Sequence, residues 1–289
     1  MLGWFIKQVL RWCLFVVWVG AASANQAPIV VLLAGDVAQC DTPGAQRTGQ
    51  LINGLPYPVL VLGDLAYPNG STADFARCYT PHWGAFKERT YPAPGNHEYG
   101  TAGAEGYFKY FGARAGVAGR GYYSFDLGAW HIVSLNSNRE LDAAALQLKW
   151  LEQDLRRNRQ TCVLAYWHHP RYSSGPHGTD ARTQAFWVLL YRHGVSVVVT
   201  GHDHIYERLA PMNDKGLHDP LRGIRSFIAG TGGAKHYAIK QRVTNSEAAN
   251  GETWCVLKLT LGADQYTWEF LPVAGQTYRD AGSAPCVKR

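Results

Sequence analysis

The feature that most constrains this chain is a repeated pattern in which a short apolar run ends in a side chain able to bind a metal ion. Runs of four to eight residues rich in Val, Ile and Leu predict buried strands. Ligands in open α/β sheets lie at the carboxyl ends of parallel strands, so polar residues just past such strands should gather at one edge. The predicted strands span residues 29–34, 58–62, 162–167 and 195–200, and they lead into Asp36, Asp64, His168 and the pair His202 and His204, respectively.

The spacing of the first two of these strands predicts a βαβ unit. A strand, a Gly-Asp pair, a helix ending near Asn53, a second strand and a second Gly-Asp pair follow one another in residues 29–64. The rest of the chain alternates in the same way, which predicts an α/β fold. We expect a hairpin over residues 122–136, helices over 141–157 and 183–193, a strand over 224–229, and an antiparallel pair over 254–261 and 265–273.

The first 24 residues have the features of a secretory signal peptide. Lys7 and Arg11 precede an apolar stretch over residues 12–19, and an Ala-Ser-Ala cleavage site ends at Ala24. That stretch is too short to span roughly 30 Å of hydrocarbon at about 1.5 Å per residue. We therefore predict a secreted or periplasmic protein with no stable membrane anchor, a catalytic domain over residues 25–273, and a peripheral Gly- and Ala-rich tail over residues 274–289.

Charge narrows the range of partners. The formal charge of +6 falls to +4 when Lys7 and Arg11 leave with the signal peptide. A mildly basic chain is compatible with anionic substrates, and the absence of any cluster of Lys and Arg argues against nucleic acid as a partner.

Cysteine usage fits an oxidising compartment. Cys13 leaves with the signal peptide, and the odd number that remains leaves at least one thiol free or paired between chains. We predict a disulfide between Cys40 and Cys78, which each lie a little beyond a candidate metal loop. A second pairing, of Cys255 with Cys286, is considered, and Cys162 is predicted to be a buried thiol.

The candidate ligands together indicate a pair of metal ions. Taken singly, an Asp after a strand is usually a turn residue or a helix cap, and two loop histidines are often surface residues. Independent turn residues would not fall so consistently on metal-binding side chains. Carboxylate, amide and imidazole ligands without thiolate suit iron, zinc or manganese, and two aspartates suit a site bridged by one carboxylate. Asn96, in the sequence Gly-Asn-His-Glu after a short connector, belongs to this set.

The ordered motifs resemble those of the calcineurin-like metallophosphoesterases, and more closely the purple acid phosphatase branch. These motifs are Gly-Asp, Gly-Asp-x-x-Tyr, Gly-Asn-His-Glu, a strand ending in His, and Gly-His-x-His, within residues 29–208. The resemblance implies a layered sandwich of two mixed sheets flanked by helices. Plant members carry an additional N-terminal β domain, for which this chain has no room, so we expect the compact single-domain, bacterial-type form.

The resemblance also implies which residues hold each metal. A ferric ion would be held by Asp36, Asp64, Tyr67 and His204, and a divalent iron, zinc or manganese ion by Asp64, Asn96, His168 and His202. Many relatives have a histidine two residues after the first aspartate, where this chain has Ala38. A phenolate from Tyr67 would replace it and would favour a trivalent, coloured centre.

The chemistry expected of such a site is hydrolysis of phosphate monoesters, in the manner of an acid phosphatase. A metal-bound hydroxide would attack phosphorus in line. His97, beside Glu98, would protonate the leaving alkoxide, His177 would contact the substrate, and Asp64 would bridge the metals. We expect His169 to orient His168 or to close the pocket, and Asp203 to have a structural or supporting role. Glu207 and Arg208 are expected to form an ion pair.

Two other functions fit the same residues. A phosphodiesterase or a nucleotide or pyrophosphate hydrolase would use the same ligands, because specificity lies in the surrounding loops. A metal-binding homologue without catalytic activity is the more remote alternative, and the presence of all seven ligand positions together with His97 argues against it. The expected partner is a small phosphate ester.

Overall fold

Two mixed β-sheets lie face to face in the computed structural model, which describes residues 27–138 and 141–288. In chain order the strands are β1 (Ile29–Ala34), β2 (Val59–Leu62), β3 (Thr90–Ala93), β4 (Tyr123–Leu127), β5 (Trp130–Ser134), β6 (Cys162–Tyr166), β7 (Val197–Thr200), β8 (Tyr206–Met212), β9 (Ile224–Ala229), β10 (Ser246–Asn250), β11 (Cys255–Leu261), β12 (Gln265–Pro272) and β13 (Ala281–Pro285). The predicted apolar and alternating runs all form strands, and β3, β8, β10 and β13 are strands that the sequence patterns did not predict.

Helices cover the outer faces of both sheets. The α-helices are α1 (Gly44–Asn53), α2 (Thr72–Asp74), α3 (Thr80–Trp83), α4 (Glu105–Phe111), α5 (Leu141–Arg157) and α6 (Gln184–Arg192), with a π-helix at Phe75–Tyr79. Short 3₁₀ helices lie at Gly84–Arg89, Glu98–Gly100, Ala102–Ala104, Gly112–Ala115 and Ala181–Thr183. Ser71 begins the α2 segment with a capping box, in which Ser71 Oγ accepts from the amide of Asp74 and the Asp74 carboxylate accepts from the amide of Ser71.

The strand order places all the candidate ligand loops at the same edge. The first sheet has the order β13-β12-β11-β1-β2-β3, and the second has the order β10-β8-β9-β7-β6-β5-β4. β1, β2 and β3 are mutually parallel, as are β5, β6, β7 and β9. The predicted βαβ unit, the hairpin of β4 and β5, and the antiparallel pair of β11 and β12 are confirmed.

The core lies between the two sheets, with one further apolar layer under each set of helices. Along β1, Val31 and Leu33 face the second sheet, while Leu32 and Ala34 face the helices of the first. This alternation follows from the two-residue period of a strand. Full burial of each such side chain contributes roughly 1.5–3 kcal/mol, so both sheets are held firmly against their neighbours. The layered α/β sandwich predicted from the motifs is confirmed.

The end of the chain is integrated into the first sheet, so the expectation of a peripheral tail is wrong. β13 pairs antiparallel with β12, and Val287 donates its amide to Ser196 Oγ at 3.0 Å. Small residues such as Gly282 suit this edge because a Cβ there would lie 2.3 Å from the ring of Trp268. The close approach of this ring explains why a Gly- and Ala-rich segment forms a strand.

The cysteines are paired in part as predicted. Cys40 and Cys78 form a disulfide, as expected. The pairing of Cys255 with Cys286 and the prediction that Cys162 is a buried thiol are both wrong, because Cys286 is joined to Cys162 and Cys255 is the buried free thiol. The reason lies in sheet order, since β13 carries Cys286 to the start of β6 in the opposite sheet. Cys255 instead lies within β11, with Sγ 2.8 Å from the hydroxyl of Thr231.

The expected ion pair between Glu207 and Arg208 does not form, because consecutive residues of β8 point to opposite faces. The carboxylate of Glu207 accepts from the amide and the hydroxyl of Ser174. The guanidinium of Arg208 binds Asp280 at 2.8 Å, and it also contacts Glu247.

The predicted signal peptide, residues 1–24, lies outside the described residues. Within residues 27–138 and 141–288, no helix combines the length and the apolar character needed to cross a membrane.

Candidate metal centre

Loops from both sheets converge at the carboxyl ends of the central strands. The first sheet contributes Asp36 after β1, Asp64 after β2 and Asn96 after β3. The second sheet contributes His168 after β6, and His202 and His204 after β7. The structure thus brings together all the ligand candidates that the sequence places on separate loops.

One group of side chains surrounds the hydroxyl of Tyr67. Its oxygen lies 3.3 Å from Oδ1 of Asp36, 3.4 Å from Oδ2 of Asp64 and 3.1 Å from Nε2 of His204. Nε2 of His204 is also 3.3 Å from Oδ1 of Asp36. These four residues are the set expected for the first metal ion.

A second group surrounds Nε2 of His168. This nitrogen lies 3.1 Å from Oδ2 of Asp64, 3.1 Å from Oδ1 of Asn96 and 3.2 Å from Nδ1 of His202. Asp64 therefore contributes the same oxygen, Oδ2, to both groups. A carboxylate placed in this way is suited to bridge two cations.

Backbone strain is concentrated in these loops. Asp36, Asp64 and His202 have positive φ values of 58°, 51° and 70°. Ala104 is the one further non-glycine residue with positive φ in the described part of the chain. Such conformations cost about 1–3 kcal/mol each and tend to occur where function requires them. Here they turn the ligand side chains back toward the gap between the sheets.

Two glycines allow the loops to approach one another. A Cβ at Gly95 would lie 2.1 Å from Oδ1 of Asp64, and a Cβ at Gly201 would lie 2.6 Å from Oδ2 of Asp36. Each glycine directly precedes a ligand candidate, Asn96 or His202. The Gly-Asn and Gly-His motifs therefore reflect the space that the facing aspartates occupy.

The imidazoles are oriented by main-chain carbonyl groups. Nδ1 of His168 donates to the carbonyl oxygen of Leu62 at 2.8 Å, and Nδ1 of His204 donates to that of Lys235 at 2.6 Å. Because each ring uses its Nδ1 proton in this way, its Nε2 is free to bind a cation. This arrangement is typical of histidines that bind metals.

Electrostatics within the site favour a positive charge between Asp64 and His168. Burial would raise the pKa of Asp64, yet His168 holds it well below its usual range. Burial would also lower the pKa of His168, but Asp64 and Asp36 raise it to about 9. The pair thus retains a proton where a metal ion would lie, and the oxygen and nitrogen donors fit hard or borderline metals. These residues therefore fit the dinuclear centre that the sequence motifs imply.

The two histidines expected to contact substrate flank the metal groups. His97 donates its amide to Oδ1 of Asp64 at 2.9 Å and its Nδ1 contacts the Pro68 carbonyl oxygen at 2.5 Å. Nδ1 of His177 lies 2.8 Å from Oδ1 of the buried Asp203, and the rings of His177 and His202 are 4.1 Å apart. Both side chains are partly exposed at the mouth of the site.

Glu98 acts on the loop of Asp64 rather than on His97. Its carboxylate accepts from the amides of Asp64, Leu65 and Gly95 at 2.7–2.9 Å. Burial and the neighbouring Asp64 raise the pKa of Glu98 to about 7, while these amide donors favour the charged form. The motif Gly-Asn-His-Glu therefore supplies both a ligand candidate and the anchor that holds another ligand loop in place.

His169 lies beside two of the ligand candidates, and one ring nitrogen from each of His168, His169 and His202 lies within 4.8 Å of the others. Nδ1 of His169 lies 2.8 Å from Oγ of Ser137, and its ring centroid is 4.8 Å from that of His168 and 4.4 Å from that of His202. Burial and the charge of His168 lower the pKa of His169. The ring of His169 packs against His168 and His202, and its role in orienting His168 or closing the pocket stays a prediction.

Sequence reasoning missed two residues that line the site, Lys235 and Tyr237. The carbonyl oxygen of Lys235 orients His204, and the ring of Tyr237 stacks on the same imidazole at 4.0 Å. Both follow the Gly-rich turn after β9. The sequence feature that could have indicated Lys235 and Tyr237 is the position of that turn directly after a central strand.

Comparison with known proteins agrees with this geometry. The model of the family described as calcineurin-like phosphoesterase matches residues 29–206, which include every ligand candidate. The chain belongs to the calcineurin-like phosphoesterase family. Its predicted membership is thus confirmed, and the match ends within β8, just after His202 and His204.

Several relatives of this phosphoesterase chain are purple acid phosphatases. Purple acid phosphatase 15 of Arabidopsis thaliana is 30% identical over 227 residues, which cover 66% of this chain and 42% of the relative. Purple acid phosphatase 18 of the same plant is 30% identical over 247 residues, which cover 77% of this chain and 54% of the relative. The chain thus spans about half the length of these relatives. The solved structure of purple acid phosphatase PPD1 from yellow lupin (Lupinus luteus) seeds shares the fold, with a TM-score of 0.74, 21% identity, and coverage of 90% of this chain and 54% of that one.

Proposed function

We propose that this chain is a metal-dependent phosphatase that hydrolyses phosphate monoesters at a dinuclear site. The observation that carries the proposal is that Oδ2 of Asp64 lies within 3.4 Å of Tyr67 on one side and 3.1 Å of His168 on the other. One carboxylate oxygen shared by two sets of ligands is what a pair of closely spaced cations requires. Membership of a phosphoesterase family supports the same reaction class.

The ligands divide into two sets. Asp36, Asp64, Tyr67 and His204 would hold one ion, and a phenolate ligand favours iron in the ferric state. The second set would hold a divalent iron, zinc or manganese ion, since it combines oxygen and imidazole donors without thiolate. Its members are Asp64, Asn96, His168 and His202.

The chain's own residues place the substrate and handle its protons. Two bound cations would activate a water molecule and neutralise charge on the phosphoryl group. His97 and His177 would each offer Nε2 to the ester, because Nδ1 is held by the carbonyl oxygen of Pro68 in the former and by Asp203 in the latter. A protonated His97 would transfer its Nε2 proton to the leaving oxygen, a contribution of about 10²–10⁴-fold in rate.

Export to an oxidising compartment is part of the proposal. The two disulfides, Cys40–Cys78 and Cys162–Cys286, support it, because such bonds persist mainly outside the cytosol. Residues 1–24 would direct export as a signal peptide and would be removed from the mature protein. N-terminal sequencing of the protein secreted by an expressing cell would test this, with Asn25 expected as the first residue.

Activity on defined esters tests the proposed reaction. Mature protein loaded with iron and zinc or manganese is expected to hydrolyse an aryl phosphate monoester faster than the corresponding bis-aryl diester. Preference for the diester, or for a pyrophosphate, would favour the alternative hydrolases that share these ligands. Absence of turnover at every pH and with every metal, despite two bound ions, would favour a metal-binding homologue without catalytic activity.

A further inference from the structure

Tyr237 completes a row of aromatic rings around the mouth of the candidate metal centre. Its ring stacks on His204 with centroids 4.0 Å apart and planes within 8° of parallel, and it approaches His177 at 5.5 Å. The remaining neighbours in the row are Tyr67 with His97 at 4.2 Å, Tyr67 with His204 at 6.1 Å and His177 with His202 at 4.1 Å. We call these six residues, His97, Tyr67, His204, Tyr237, His177 and His202, the aromatic arc.

Tyr237 differs from the other members of the arc in having no part in the proposed chemistry. The other five are candidate ligands or substrate contacts. The ring is not needed to orient His204, because the carbonyl oxygen of Lys235 already holds Nδ1 of that imidazole at 2.6 Å. A half-buried aromatic side chain beside the reacting centre is therefore available for another role.

A cavity of about 540 Å³ opens directly onto this arc. Its lining includes Tyr67, Pro68, His97, His204 and Tyr237. This volume lies within the usual range for small-molecule sites, about 300–1,000 Å³. The cavity is therefore large enough for a leaving group that extends away from the metals.

The charged side chains at the rim of the cavity are paired with one another or with nearby residues. Nζ of Lys235 lies 2.9 Å from Oδ2 of Asp41, and the guanidinium of Arg77 lies 3.5 Å from Asp74. Apart from these paired charges and from Gln39 and Cys40, the lining consists of aromatic rings and Pro68, which form the wall nearest the metal ligands. Such surfaces favour planar, apolar groups, since aromatic rings gain from offset or edge contacts beyond the area they bury.

We propose that Tyr237 is a specificity residue that selects phosphate monoesters of planar aromatic alcohols, with the aryl group bound between Tyr237 and Tyr67–Pro68. The inference rests on the proposed phosphatase function. In the reaction, water adds its oxygen to phosphorus as the bond from phosphorus to the aryl oxygen breaks. One proton from water goes to the departing phenoxide, which gives a phenol and hydrogen phosphate.

The test compares aryl and alkyl esters in the metal-loaded enzyme and in two variants. Tyr237→Leu removes the ring, and the matched control Tyr237→Phe retains it. We expect Tyr237→Leu to lower kcat/KM on phenyl phosphate by about 5–10-fold, and on glycerol 2-phosphate by less than about 2-fold. Tyr237→Phe should keep the wild-type ratio of the two values, and metal content should be the same in all three proteins.

Binding measurements test the aryl subsite at Tyr237 even if the protein hydrolyses no ester. Calorimetry with the non-hydrolysable analogues phenylphosphonate and methylphosphonate should show weaker binding of the former in Tyr237→Leu and little change for the latter. Failure of wild type to hydrolyse any ester would overturn the phosphatase proposal, while this selective loss of binding would still support the aryl subsite.

Three results would overturn the assignment. Equal losses on phenyl phosphate and glycerol 2-phosphate, with reduced metal content, would show that Tyr237 only supports His204. No change on either ester, together with unchanged binding of phenylphosphonate, would show that the ring does not contact the leaving group. A larger loss of kcat/KM on adenosine 5′-monophosphate than on phenyl phosphate would show that Tyr237 contacts a substrate ring separated from the phosphate by a ribose. It would not then contact an aryl group bonded to the ester oxygen.

Discussion

The hydroxyl oxygen of Tyr67 lies 3.1 Å from Nε2 of His204, and Nδ1 of the same ring donates to the carbonyl oxygen of Lys235. Burial and the carboxylates of Asp36 and Asp64 raise the pKa of Tyr67 well above that of a free tyrosine. In the absence of a cation the phenol therefore keeps its proton, and metal binding is what would remove it.

Replacement of Tyr67 by Phe tests the phenolate ligand. The wild-type protein loaded with iron is expected to show a visible charge-transfer band, and Tyr67→Phe should lose it because the phenolate oxygen is gone. Visible spectroscopy with metal analysis measures this. Tyr99→Phe is a suitable control, since the hydroxyl of Tyr99 binds Asn136 instead of the ligand candidates. A colourless, fully active di-zinc or di-manganese enzyme would contradict the ferric assignment while leaving phosphatase function intact.

Asp64→Asn should remove the bridge between the two metal ions. An amide in place of the carboxylate takes away the negative charge shared by both ligand sets, and loss of several kcal/mol of charge stabilisation corresponds to about 10³-fold or more in kcat. Metal analysis should show fewer than two ions per chain, while circular dichroism remains unchanged. Retention of two ions and of wild-type kcat would show that Asp64 does not bridge.

Asp203 is expected to act through His177. The buried carboxylate holds Nδ1 of His177 at 2.8 Å and also accepts from the hydroxyl of Ser173. Asp203→Asn should reduce kcat/KM by about 10–100-fold, the usual effect of losing a group that orients a functional histidine. In a His177→Ala background the same change should cause little additional loss. If the losses of kcat/KM caused by Asp203→Asn and His177→Ala were fully additive, Asp203 would act independently of His177.

A buried histidine far from the candidate ligands should make stability depend on pH. His131 lies between Asp126 at 2.7 Å and Asp154 at 2.8 Å, and these carboxylates raise its pKa in spite of burial. The charged form thus stabilises the fold. The contribution is complete below the unfolded pKa of about 6.5 and is lost as pH rises through the higher folded value.

Urea unfolding of the metal-free protein between pH 6 and pH 9 would measure this effect. The free energy of unfolding of wild type should fall more steeply with rising pH than that of His131→Asn, so that the two curves approach each other at high pH. The other histidines are present in both proteins, so their contribution to the pH dependence of stability cancels in the comparison. If the free energies of unfolding of the two proteins changed in parallel with pH, a charged His131 would not be stabilising the fold.

The two disulfides should contribute unequally to stability. Cys162 and Cys286 are 124 residues apart, whereas Cys40 and Cys78 are 38 residues apart. Loop-closure entropy predicts a loss of about 5 kcal/mol on replacing the first pair by Ser, and about 4 kcal/mol for the second. Chemical denaturation of the two double variants measures the difference. A larger loss for Cys40 and Cys78 would indicate that local packing outweighs loop length.

Local patterns in the sequence were sufficient to identify most of the central strands and the candidate ligands, whereas β3, β8, β10 and β13 were not predicted. Four of the apolar runs lead into an Asp or a His, and parallel strands bring their carboxyl ends to one edge wherever they lie in the sheets. The fold class and the convergence of residues such as Asp64 and His168 could therefore be predicted from one-dimensional spacing. The family resemblance added the division of these residues between two metals.

Tertiary structure alone decided the contacts between segments that lack such a pattern. The pairing of Cys162 with Cys286 depends on where β13 joins the first sheet. The partners of Glu207 and Arg208 depend on which elements cover each face of β8. The position of Tyr237 against His204 depends on how the turn after β9 folds back. Each of these contacts joins residues distant in the chain, and their side chains alone carry no periodicity that could reveal the partner.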